Sequence, residues 1–174
     1  MKKILLDSDV IRHFIKGDSL SLLPKIYPGR LVIIDVVKNE LCRSKSLESI
    51  IHNFITFMKI EELDFSGDLK MLKEYASLLK NGRGQGESAV MAVALHSKDI
   101  VASSNLKDIA EYCLINKIEY ITTMDILVEA EKHKIMTEKE CDEFIGKVLA
   151  AGSKLPCDRL KVYKSKFLPQ KKEI

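Results

Sequence analysis

Short apolar runs alternate with helical stretches along this chain, and that alternation limits its fold more than any other feature. Lys3–Leu6, Leu31–Asp35, Ile60–Phe65, Asp99–Ala102 and Glu119–Thr122 read as strands, each bounded by polar or turn residues. Helical spacing fills the gaps. Asp9–Ile15 ends near Gly17, Ser19–Ile26 closes at the Pro28-Gly29 turn, and Val36–Cys42 and the amphipathic Leu47–Met58 follow. Asp68–Lys80 places Leu69, Leu72, Tyr75, Leu78 and Leu79 on one face, and ESAVMAVALHSK comes after the loop NGRGQG. Leu106–Ile115, Asp125–His133 and Thr137–Ala151 complete the set, the last opened by a capping box of Thr137 and Glu140. Strands separated by helices pair in parallel through right-handed crossovers. The expected class is therefore α/β, with a central, mainly parallel sheet between two helical layers. No internal repeat or low-complexity linker interrupts the chain, and no boundary falls before about residue 130.

In such a sheet, ligands collect beyond the carboxyl ends of the strands. Acids and hydroxyls stand at each of those ends. Asp7 and Asp9 follow the first strand, and Asp35 ends the second, with Glu40 on the next helix. Glu87 opens the helix after the glycine-rich loop. Ser103, Ser104, Asn105 and Asp108 follow the fourth strand, and Thr122, Thr123 and Asp125 the fifth. Each acid taken singly has a structural use: Asp7 as a helix N-cap, Asp9 and Glu87 as first-turn acids, Glu40 as a solvated helix residue. Together they all fall on the ligand edge, which favours a shared site.

Carboxylates meeting in one crevice repel unless a cation neutralises them, and an oxygen-only donor set suits Mg²⁺ or Mn²⁺ rather than zinc. Such ions activate water for phosphodiester hydrolysis. Competing motifs are weaker. GRGQGE lacks the Lys-Ser/Thr ending of a phosphate loop. LLDSDV has the form of an aspartyl phosphatase, which also needs a later lysine and acidic pair; the chain has Ser104-Asn105 there. His13, His52, His96 and His133 show no metal-ligand spacing and read as surface or packed residues.

Charge is uneven. The chain carries 28 basic and 25 acidic residues, and from Asp158 to Ile174 six are basic against two acidic. Arg159, Lys161, Lys164 and Lys166 in this tail are candidates for holding a phosphate backbone; a solvated terminus is the plain alternative. The four cysteines are scattered without CxxC spacing, which argues for a reducing, cytoplasmic setting and against a disulfide framework. No run approaches the roughly 18 uncharged apolar residues of a membrane helix, and the apolar start is broken at Asp7.

The pieces ILLDSDVIRHF, VIIDVVKNEL, GQGESAVMAVAL, IVASSNLKDIAEYC and YITTMDILVEA, in that order, make the chain resemble the PIN-domain nucleases. These include the toxin ribonucleases of toxin–antitoxin pairs. The ending ILVEAEKHKIMTEKECDEFIGKVLAAGSKLP is similar to a PIN subgroup of predicted nucleic-acid-binding proteins. The resemblance implies a three-layer α/β/α sandwich: a catalytic domain over residues 1–130, and a C-terminal helix and basic tail over 131–174. It implies an endonuclease acting on RNA with Mg²⁺ or Mn²⁺, held by Asp7, Glu40, Glu87 and Asp108. Asp9, Ser103, Ser104, Asn105 and Thr123 would be polar supports. A small antitoxin covering the site and a homodimer are the partners implied. Many members carry an Asp pair where this chain has Ser104-Asn105, which keeps a second expectation open: a weak or inactive PIN fold that binds RNA or protein.

Overall fold

The computed structural model describes residues 1–168. Lys171, Lys172 and Glu173 of the charged tail lie outside them. Among the described residues, five strands form the sheet: β1 (Ile4–Leu6), β2 (Leu31–Ile34), β3 (Glu61–Leu63), β4 (Ile100–Ala102) and β5 (Tyr120–Ile121). Their order is β3-β2-β1-β4-β5 and every pairing is parallel. Ile4 pairs with Leu31 and Ile100, and Leu6 with Ile33 and Ala102, so β1 is the central strand. All residues of β1 and β2 are buried, as expected of parallel strands covered on both faces.

Among the described residues, ten α-helices connect and cover the sheet. They are α1 (Ser8–Lys16), α2 (Leu23–Ile26), α3 (Asp35–Cys42), α4 (Lys45–Met58), α5 (Leu69–Lys80), α6 (Gln85–Ser97), α7 (Leu106–Asn116), α8 (Thr123–Lys132), α9 (Glu138–Ala150) and α10 (Leu160–Lys166). The result is the three-layer α/β/α sandwich. Helix α6 crosses β1 and β4 and packs between α5 and α7. Its run from Ser88 to Ala94 is buried without interruption, because apolar and small residues occupy its whole circumference. Helices α1, α8, α9 and α10 form another packed group. No helix among the described residues is long and apolar enough to cross a membrane.

Local chemistry sets most helix ends. Asp68 caps α5 through the Lys70 and Met71 amides at 2.8 and 3.1 Å. Thr137 and Glu140 form the capping box expected of α9, and Thr122 and Asp125 form another that opens α8 two residues earlier than periodicity suggests. Asp35 is the first residue of α3 rather than the last of β2. On α5 the apolar face is shorter than expected: Leu78 is buried, while Leu69, in the first turn, is 73 % exposed. Gly17 lets α1 meet α9, since a Cβ there would fall 2.2 Å from the Phe144 ring.

The chain runs from β1 outward through β2 to β3, then returns across the sheet to β4 on the other side of β1. Strand order therefore reverses between β1 and β4. In an open parallel sheet, that reversal leaves a crevice at the strands' carboxyl ends.

Candidate active site at the strand-order reversal

Asp7 follows β1 directly. Its backbone N–H continues the ladder to the Ala102 carbonyl at 3.0 Å, and its carboxylate caps α1 by accepting the Ser8 amide at 2.7 Å. A side chain fixed between the central strand and the helix start is buried, and Asp7 is only 3 % exposed. Asp9, in the first turn of α1, accepts the Val10 amide at 2.6 Å. Its other oxygen accepts the Ser104 amide at 2.7 Å and the Ser103 hydroxyl at 3.5 Å. Asp9 thus ties the β1–α1 junction to the β4–α7 loop across the crevice.

Glu40 reaches the same place from α3, where the Ser8 hydroxyl donates to its Oε1 at 2.8 Å. The first turn of α6 closes in from above. A Cβ on Gly86 would lie 2.6 Å from Glu40 Oε2 and 3.4 Å from Asp7 Oδ1, so two carboxylates share the space that a side chain would fill. Glu87, the next residue, turns back toward the Gly84 backbone and accepts from the Asn105 amide group. The same Asn105 nitrogen donates to Asp108 Oδ2 at 2.7 Å. The structure therefore brings Asp7, Asp9, Glu40, Glu87 and Asp108 to one crevice, with Ser8 and Asn105 as hydrogen-bond links between them.

The electrostatics are one-sided. Burial pushes the Asp7 carboxyl up to about 8, and the charges of Asp9 and Glu87 add to it against hydrogen bonds from Ser8 and Ser103. Burial also raises Asp9, opposed by the Ser104, Val10 and Asn105 amides. Glu87 is raised by burial, with Asp108 and Asp9 adding and Asn105 opposing. Among the described residues, none of the five acids makes an ion pair with Lys, Arg or His. The missing countercharge, and a donor set of carboxylate, hydroxyl and amide oxygens, fit a hard divalent cation. As placed, no group of three or more His, Cys, Asp or Glu among the described residues is close enough together to hold a metal ion.

Other residues marked in the sequence take different places. Thr123 is fully buried behind the loop, where its hydroxyl accepts from Ser104 at 2.9 Å and meets His13 Nδ1 at 2.8 Å. His13 is a packed residue, and burial lowers its pKa to about 4. Asp125 serves the α8 cap and accepts the Tyr163 hydroxyl at 2.7 Å. One oxygen of Asp35 is buried without a hydrogen-bond partner. Arg159, just before α10, and Lys161 and Lys166 on it are exposed, whereas Lys164 is held by Glu131 at 2.8 Å and Glu138 at 3.2 Å. Sequence reasoning passed over Ser8 and Gly86. The signals were there, a hydroxyl between two acids and a glycine before Glu87, but neither shows a partner until the chain is folded.

No protein-family model and no curated protein matches this chain. Among solved structures, a chain of VapBC-1 from nontypeable Haemophilus influenzae, determined at 2.2 Å, is similar with a TM-score of 0.50 and 18 % identity. The match covers 69 % of this chain and 97 % of that one. At that identity the likeness is one of fold.

Proposed function

We propose that this chain is a divalent-metal-dependent endoribonuclease and the toxin component of a toxin–antitoxin pair. One observation carries the reading: Asp7, 3 % exposed at the β1–β4 reversal, lies near Asp9 and Glu87 and makes no ion pair among the described residues. A buried, uncompensated carboxylate is costly, and folds keep such groups where they are used. The motif order of the sequence and the fold shared with a VapBC-1 chain support the same reading.

Asp7, Glu40, Glu87 and Asp108 are the residues that would hold Mg²⁺ or Mn²⁺. The ion would supply an activated water and charge neutralisation at phosphorus. The protein's own groups set up that site. Ser8 orients Glu40 and Asn105 keeps Glu87 beside Asp108, while Asp9 fixes the loop that carries Ser103 and Ser104. Arg159, Lys161 and Lys166 would hold the RNA backbone. The products would carry a 5′-phosphate and a 3′-hydroxyl. Residues 1–130 would carry the chemistry and 131–174 would extend the surface that meets RNA. A small antitoxin and a second copy of the chain complete the proposed assembly.

A second reading rests on Asn105. An amide bridges Glu87 and Asp108 where an acid would add a ligand, which favours a PIN fold that binds RNA or protein without cutting. Cleavage of a mixed RNA pool separates the two. The nuclease cuts with Mn²⁺, and loses cutting with EDTA or on Asp7→Asn. Intact RNA in all three conditions, with no Mn²⁺ binding by calorimetry, selects the binding module.

A further inference from the structure

Beside the acidic crevice lies a cavity of about 610 Å³ with the opposite character. The two share a wall: Ser104 and Asn105 line the cavity, while the Ser104 amide bonds Asp9 and the Asn105 side chain bonds Glu87 and Asp108. The cavity floor is Met124 and Tyr163, both buried. Leu106, Leu155 and Phe167 form apolar sides, and Leu106 is 41 % exposed. The Phe167 ring is stacked on Tyr163 with centroids 5.4 Å apart and planes at 21°. No carboxylate among the described residues lines the cavity. Lys107 and Lys154 stand on it, both exposed, and neither makes an ion pair among the described residues.

We propose that this cavity is a nucleobase subsite, which takes one unstacked base of single-stranded RNA next to the phosphodiester held at the crevice. The inference rests on the nuclease reading and adds a substrate class to it. Three features select this occupant. The cavity and the crevice lie on either side of Ser104 and Asn105, so the phosphate of a nucleotide seated in the cavity is within reach of the acids. Its apolar and aromatic walls suit the flat face of a base, and two unpaired lysines suit the flanking phosphates. Its volume admits a whole nucleoside. A base inside a duplex cannot reach such a cavity without leaving its stack, so the subsite selects single strands.

The subsite also gives α10 a role. That helix supplies Tyr163 and is followed by Phe167. It is anchored from below by the Tyr163 hydroxyl on Asp125 and by Lys164 on Glu131 and Glu138. Asp125 and Lys164 thereby act as positioning residues for the cavity floor.

The test is equilibrium binding of fluorescent RNA hexamers to the full-length protein in EDTA, with a single abasic residue moved along the strand. Cleavage of the same hexamers in Mn²⁺ is followed separately. One abasic position is expected to weaken binding about tenfold, the scale of one stacked base, and the others to change it little. Leu106→Trp, at a partly exposed position on the cavity, should fill the space and erase that difference. A Lys107→Glu, Lys154→Glu double variant should weaken intact and abasic strands equally and flatten the salt dependence.

Cleavage without any base-dependent position overturns the subsite and leaves the nuclease reading standing. Base-dependent binding without cleavage supports the subsite and removes the nuclease. Absence of both overturns both. Leu106→Trp that abolishes self-association in sedimentation while leaving RNA binding unchanged makes the cavity a contact between copies, and also overturns the subsite.

Discussion

Asp7→Asn is expected to make the protein more stable at alkaline pH while abolishing its proposed activity. Asparagine keeps the shape of the side chain and still accepts the Ser8 amide now held at 2.7 Å, so the cap of α1 survives. What disappears is a carboxylate that is 3 % exposed, lies near Asp9 and Glu87, and makes no ion pair among the described residues. Leaving a buried polar group uncompensated costs about 1–3 kcal/mol, a range that a charged group meets or exceeds. The sign with pH follows from the raised carboxyl. The native state holds the Asp7 proton from its ordinary value of 3.8 up to about 8, so the stabilising contribution of protonated Asp7 is complete below about pH 4 and is lost as pH rises through 8. Asparagine does not titrate. The variant's advantage is therefore small at pH 4.5 and grows to about 1–3 kcal/mol at pH 8, or roughly 0.5–1.5 M in a urea midpoint. Urea melts in EDTA at the two pH values measure it. Saturating Mn²⁺ should then stabilise the native protein by about 2.7 kcal/mol at a hundredfold excess over Kd and leave the variant unmoved. A variant no more stable than native at pH 8, or an advantage independent of pH, refutes the account of Asp7 as a carboxylate kept at a cost.

Two further perturbations probe the surroundings of the crevice. Burial lowers His13 from 6.5 to about 4, so its contribution is complete above pH 6.5 and is lost as pH falls toward 4; the native protein should lose about 2 kcal/mol relative to His13→Gln between pH 7.5 and 5 in urea melts, and a constant difference would count against it. Gly17→Ala drives a Cβ to 2.2 Å from the Phe144 ring, which should cost about 1–3 kcal/mol and lower Tm by about 3–10 °C in calorimetry. Phe144→Leu in the same chain should recover part of that loss; no recovery would place the strain elsewhere.

The interval between strand ends and acids was readable because both are local. Five apolar runs and the helices between them specify a parallel sheet; Asp7, Glu40 and Asp108 fall within six residues after a strand, and Glu87 opens the helix after the glycine-rich loop. Capping is local too, which is why Thr137 and Glu140 were recognisable as a box. The helix over Leu160–Lys166 was less visible. Its short, lysine-rich run has little periodic signal, and it is held by Tyr163 on Asp125 and Lys164 on Glu131 and Glu138 rather than by its own propensity. Asp125 shows the same limit: nothing in its neighbours says that its second oxygen serves a tyrosine 38 residues away.

Periodicity, caps and strand-end acids in the sequence thus specify an α/β sheet between helical layers with a carboxylate edge. Which acids meet, and what joins them, depended on the order β3-β2-β1-β4-β5. That order sets Asp9 against Ser104, 95 residues on, and Ser8 against Glu40, 32 residues on. It also brings Gly86 so near Glu40 and Asp7 that a side chain there would displace the Glu40 carboxylate. Local rules act over one helical turn or one strand step; contacts across the reversal are decided by how crossovers place whole strands, and no window of sequence contains that information.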